Sequence, residues 1–140
     1  MKKKILITRK LLKENEDKLK ELFDVKLNVN DEIYTADKIL ELSKDCDGIL
    51  CAVTDKFNNE LINKLSPSIK IIANYAVGYG NIDVNAAKEK NIVVTNTPEV
   101  LDDSTADVSI LLLLGASRKV LEARRAAERQ DWKWSADFML

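Results

Sequence analysis

Five short apolar runs rich in β-branched residues, separated from one another by helical patterns, constrain this chain more than any other feature. Lys4–Thr8, Val25–Asn28, Gly48–Ala52, Ile69–Tyr75 and Ile92–Asn96 read as strands. Between them, Lys10–Leu22 sets Leu11, Leu12, Leu19 and Leu22 at helical spacing, and Ala36–Leu42, Asn58–Leu65 and Val84–Lys90 repeat that spacing more weakly. A two-residue turn can join antiparallel neighbours, whereas a parallel neighbour needs a crossover long enough to hold a helix. The alternation therefore predicts an α/β fold, a flavodoxin-like doubly wound parallel sheet of five strands with helices on both faces. Such sheets bind ligands beyond the carboxyl ends of their strands, where the strand order reverses. The loops that follow strands are the first place to look for chemistry.

Beyond residue 100 the rhythm changes. Asp102-Asp103-Ser104-Thr105-Ala106-Asp107 offers acidic and capping residues, which predicts the start of one long helix running to about Arg129. A single helix of that length spans roughly 42 Å, more than a body with a radius of gyration of roughly 14 Å can bury. It is expected to protrude. Ala116, Val120, Ala123 and Ala127 form a stripe of small apolar residues along its distal half, predicted to receive a second body. Arg118, Arg124, Arg125 and Arg129 alternate with Glu122 and Glu128 at spacings that suit ion pairs on a solvated face. Trp132 and Trp134 read as packing anchors, and the sequence reaches Leu140 without a further strand, as though interrupted.

Charge excludes several partners. The 22 basic and 23 acidic residues leave no positive excess for phosphates or anionic lipid, so neither nucleic acid nor a membrane surface is expected. The longest apolar stretch, Val108 to Ala116, is far shorter than the roughly 20 residues that span a bilayer, and a cytoplasmic location is expected. Cys46 and Cys51 lack any histidine to complete a zinc site, so no metal is expected; they read as buried structural thiols, with a redox pair or disulfide as the alternative. Having no histidine at all, the chain cannot use imidazole as acid or base.

Among the loops, Ile71-Ile72-Ala73-Asn74-Tyr75-Ala76-Val77-Gly78-Tyr79-Gly80-Asn81-Ile82-Asp83 runs from a strand through glycines into a helix. Glycines there would permit backbone conformations closed to other residues, and successive N–H groups beside a helix start can hold a carboxylate or phosphate. Taken alone, the segment admits an anion site, a tight turn without ligand, or a degenerate dinucleotide turn. The last is disfavoured, because Asp83 stands where the third glycine of that fingerprint belongs. Cys51-Ala52-Val53-Thr54-Asp55 and Thr95-Asn96-Thr97-Pro98-Glu99 lie on the same edge, Asp55 reading as turn or capping chemistry.

Taken together, Val77-Gly78-Tyr79-Gly80-Asn81-Ile82-Asp83, Ala86-Ala87-Lys88, Ile92-Val93-Val94-Thr95-Asn96-Thr97-Pro98 and Ser104-Thr105-Ala106-Asp107 resemble the D-2-hydroxyacid dehydrogenases. The resemblance extends from Ile5 to about Trp134. It implies that residues 1–100 are a substrate-binding domain, and that 101–140 are a long helix and linker towards a cofactor domain outside this chain. The amides of Val77 and Gly78 would take the substrate carboxylate, with Ala52 and Val53 as the opposite wall. Val77 and Thr105 would touch NAD or NADP, and helix 102–129 would build a homodimer. An aspartate commonly stands in the family where this chain has Gly80. The family's catalytic arginine, glutamate and histidine would all follow Leu140, leaving no catalytic residue here. The implied function is the N-terminal part of an NAD-dependent oxidoreductase acting on a small 2-hydroxy or 2-oxo acid, of glyoxylate, hydroxypyruvate or phosphoglycerate type. As a fragment it is expected to be inactive and not to bind the cofactor tightly. The alternative is a non-catalytic small-acid-binding or dimerisation module.

Overall fold

In the computed structural model, which describes residues 2–129, the chain divides into two compact units, Met1–Val100 and Leu101–Leu140. In the first, β1 (Lys4–Ile7), α1 (Lys13–Leu22), β2 (Asp24–Lys26), α2 (Ala36–Ser43), β3 (Gly48–Ala52), α3 (Asn59–Lys64), β4 (Ile71–Tyr75), α4 (Val84–Glu89) and β5 (Val93–Thr95) alternate without exception. The strands form one parallel sheet in the order β2-β1-β3-β4-β5. This is the flavodoxin-like order expected from the alternation, reversing between β1 and β3.

Side chains alternate across a strand, so the register separates two faces. Leu6, Ile49 and Ile72 share one row, almost wholly buried. They form the core with Ile39 of α2, Leu61 and Ile62 of α3, and Ala86 and Ala87 of α4. The neighbouring row, Ile5, Gly48, Ile71 and Val93, faces the other way. There Ile71 is 38% and Val93 57% exposed. Helices on both faces were expected; among the described residues, these two side chains of the second face stay partly exposed. Gly48 permits a close approach in that row, since a Cβ there would stand 2.7 Å from Ile71 Cγ2.

Local chemistry sets the helix starts. Thr35, Asn58 and Asp83 accept the N–H groups of Lys38, Leu61 and Ala86 as side-chain caps of α2, α3 and α4. Cys46 and Cys51 are free and buried, with the Cys51 thiol pushed up to about 12 by burial and, in smaller part, by the charge of Asp55. Such a thiol is inert as a nucleophile, in keeping with the structural reading.

The second unit corrects the expectation of a single long helix. It holds α5 (Asp102–Ser117) and α6 (Val120–Arg129). They are separated at Lys119, whose φ of 50 leaves the helical region. The Arg118 N–H still bonds the Leu114 carbonyl, but that of Lys119 reaches only the Ala116 carbonyl, in a tighter turn. Ala116 therefore lies on α5 and Val120, Ala123 and Ala127 on α6, so the expected stripe is not one continuous face. The start of α5 also differs: Leu101 is its N-cap and makes no side-chain cap bond, leaving Asp102 and Asp103 to act on the helix dipole. Arg124 and Glu128 pair at 2.8 Å as their spacing suggested. Trp132 and Trp134 lie outside the described residues. No helix among the described residues is long and apolar enough to cross a membrane.

Candidate functional site

At the carboxyl edge of the first unit, the loop after β4 is shaped by three carbonyls that each accept a hydrogen bond. The Ala76 carbonyl accepts the Thr97 N–H at 2.9 Å. That of Val77 accepts Asn96 Nδ2 at 2.7 Å, and that of Gly78 accepts Asn74 Nδ2 at 2.8 Å. All peptide bonds here are trans, and in a trans peptide the C=O and the following N–H point in opposite directions. Fixing these three oxygens therefore turns each N–H away from the group that holds the carbonyl of the same peptide: Thr97, Asn96 and Asn74 for the N–H groups of Val77, Gly78 and Tyr79 respectively. None of the three donates to another described residue. Consecutive free amides can offer donors to an anion without a basic side chain.

The glycines act differently from the expectation. Neither Gly78 nor Gly80 has a positive φ, and a Cβ on either would meet nothing within 4 Å. What they provide is open space over the loop, not a left-handed turn. Asp83 caps α4 through Ala86, which fills that helix start with a carboxylate. The described residues of this unit thus do not fit a dinucleotide pyrophosphate, and no step through a nicotinamide is derived from them.

A cleft of about 730 Å³ lies between the loops after β3 and β4, with Val53, Lys56, Asn58, Gly78, Gly80 and Asp83 in its lining. Of the expected substrate residues, Val53 and Gly78 line it. Ala52 and Val77 sit half-buried behind them, at the end of β3 and in the loop after β4. Thr105 belongs to the second unit, exposed on α5, where its carbonyl accepts Ser109 Oγ.

Lys56 was not anticipated, and it forms no ion pair with another described residue, so its charge is free at the cleft. Arg9 is committed elsewhere. Its Nε and Nη2 grip both oxygens of Asp31 at 2.8 and 2.9 Å, and Nη1 reaches Thr54 Oγ1. The guanidinium, with the Lys10 N–H, holds the Asp31 carboxyl well below the usual carboxylate range.

Two further residues escaped the sequence reading. Asn74, 2% exposed, and the half-buried Asn81 face each other as an amide pair, Nδ2 to Oδ1 at 3.1 and 3.3 Å. Asn81 Nδ2 also bonds the carbonyls of Ala52 and Asp55 at 3.2 and 3.1 Å. Asp55, expected as a turn residue, is buried and holds Thr8 Oγ1 at 2.6 Å and the Ala52 N–H at 2.9 Å. A polar residue in a loop gives no local sign of such distant partners.

Residues 5–131 match the model of the catalytic domain of D-isomer specific 2-hydroxyacid dehydrogenases. The chain is similar to a glyoxylate reductase of Korarchaeum cryptofilum, 38% identical over all of this chain and 42% of that protein. It is also similar to a glycerate dehydrogenase of Hyphomicrobium methylovorum, 34% identical over 94% of this chain and 41% of that one. Among solved structures, an NADPH-dependent glyoxylate/hydroxypyruvate reductase of Sinorhizobium meliloti, in complex with NADP and malonate, superposes with a TM-score of 0.77 at 31% identity. The superposition covers 94% of this chain and 40% of that structure. The chain thus spans about two fifths of the length of these relatives.

Proposed function

Because the chain belongs to the D-isomer specific 2-hydroxyacid dehydrogenase family, we propose that it is the N-terminal, substrate-side part of an NAD(P)-dependent enzyme that reduces a small 2-oxo acid. The observation that carries this reading is the row of outward amides at Val77, Gly78 and Tyr79. A carboxylate is the group such a cradle suits, and Gly78 brings the cradle to the cleft that Lys56 also lines, where a free positive charge favours an anion. Val53 stands on its opposite wall, with the half-buried Ala52 next to it in the chain. Val77 and Thr105 are assigned to the cofactor, as the family resemblance implies.

The test is an amide-resolved titration of the chain with oxalate, a non-reacting analogue of a 2-oxo acid. The largest shifts are expected at the Val77 and Gly78 amides; shifts centred elsewhere, or none, would remove the reading. Since no histidine is present to move a proton, the chain by itself should consume no NADH with glyoxylate.

The second unit is assigned to a homodimer through residues 102–129. Ile110, Leu111, Leu112, Leu113 and Leu114 are all more than half exposed, and a helix apolar on every side belongs in an interface. Sedimentation equilibrium should give twice the chain mass, and Leu112→Glu should return it to the monomer value. A monomer at every concentration would argue against this assignment.

A further inference from the structure

We propose that Asn74 and Asn81 are positioning residues that set the distance and orientation between the two walls of the acid-binding cleft, a proposal that rests on the acid-binding reading above. Asn74 divides its two N–H donors between the Gly78 carbonyl at 2.8 Å and Asn81 Oδ1 at 3.1 Å. Asn81 offers its own donors to the Ala52 and Asp55 carbonyls at 3.2 and 3.1 Å, with Asn74 Oδ1 at 3.3 Å.

Each carbonyl so held fixes a peptide plane. Holding the Gly78 carbonyl orients the Tyr79 N–H, and holding that of Ala52 orients the Val53 N–H. One face-to-face amide pair therefore governs an N–H in each of the two loops that border the cleft. Only asparagine or glutamine presents both a donor and an acceptor on a planar fork, and the shorter side chain matches these distances.

Burial makes the arrangement consequential. Asn74 is 2% exposed, so its amide cannot exchange a lost partner for bulk water without penalty. The pair is also not the only tie between the loops. The Phe57 N–H bonds the Asn81 carbonyl and its own carbonyl accepts the Asp83 N–H, both at 2.8 Å. Losing the Asn81 side chain should leave the chain folded through that main-chain clamp while its amides lose their aim.

The experiment uses the whole chain, isotope-labelled, with Asn81→Ala and Asn81→Asp as variants. Leu65→Ala, a buried site outside the network, serves as a comparably destabilised control. Oxalate affinity, measured on the folded population, is expected to fall on the order of tenfold in both Asn81 variants, as removal of supporting hydrogen bonds should produce. In the ligand-free variants the Val53 and Tyr79 amide resonances should both move. The control should bind oxalate like the parent. Should either variant unfold, Asn81→Ser gives the same readings with a smaller cavity, because its hydroxyl cannot reach both carbonyls.

Parent-like affinity in folded Asn81 variants, with the Val53 and Tyr79 amides unmoved, would overturn the proposal and leave the acid-binding reading standing. A control that loses affinity equally would also overturn it, since general loosening would then be the cause. A parent chain that shows no oxalate-dependent shift at Val77 or Gly78 would remove the acid-binding reading, and this proposal with it. That failure is recognised before any variant is made.

Discussion

Replacing Phe57 by alanine is expected to destabilise the first unit by about 3–5 kcal/mol, the range for truncating a buried aromatic residue. Phe57 is fully buried, inside the cluster that joins the sheet to α3 and α4. Its position doubles the effect on function, because its main chain is bridged to the Asn81–Asp83 strip of the next loop. The cavity therefore opens beneath the cleft and not in a remote part of the core. Whole domains are stable by only about 5–15 kcal/mol, so the variant should be marginal at room temperature. Urea unfolding would read the loss as a lower midpoint with an unchanged slope. Val53→Ala, at a position 63% exposed, should leave the midpoint where it is. A loss below about 1 kcal/mol for Phe57→Ala would mean that the neighbouring side chains collapse into the space.

How much of this architecture could be read beforehand depended on whether the signal was local. Gly48–Ala52 appears as expected to the residue, because a buried parallel strand is written as a short continuous apolar run. Ile69 was expected in β4 and is buried, yet its N–H turns back to the Ser66 carbonyl and the strand begins at Ile71. Apolar character marks burial there without marking the ladder. The break at Lys119 was missed for the converse reason: apolar residues at helical spacing continue on both sides of it, and nothing in that spacing reports one residue's φ. In the site, the motif around Val77 and Gly78 was legible as a resemblance. The means of aiming those amides was not. Asn74 and Asn81 work through partners up to 29 residues away, and a lone asparagine beside glycine reads first as turn chemistry.

Asp55 should separate hydrogen bonding from charge at the same edge. One carboxylate oxygen holds the Thr8 hydroxyl and the Ala52 N–H; the other, Oδ1, is buried with no partner among the described residues. Asp55→Ala strands the Ala52 amide, worth about 1–3 kcal/mol, and removes a charge-assisted bond from Thr8, so a total near about 3 kcal/mol is expected. Thr8 Oγ1 recovers part of this from the Leu50 carbonyl at 3.3 Å. In Asp55→Asn one oxygen still accepts both donors, and a neutral amide replaces the unpartnered buried oxygen. Burying an unpaired anionic oxygen is unfavourable, so this variant should stay within about 1 kcal/mol of the parent. The opposing influence is Arg9, whose guanidinium is held charged first by Asp31 and in smaller part by Asp55. That side chain is partly exposed, so water and salt reach it and weaken the attraction, and the hydrogen bonds should decide the outcome. Thermal unfolding of the two variants at low and high salt checks this order. Should Asp55→Asn prove as damaging as Asp55→Ala, and most so at low salt, the charge acting on Arg9 would be what holds the ends of β1 and β3 together.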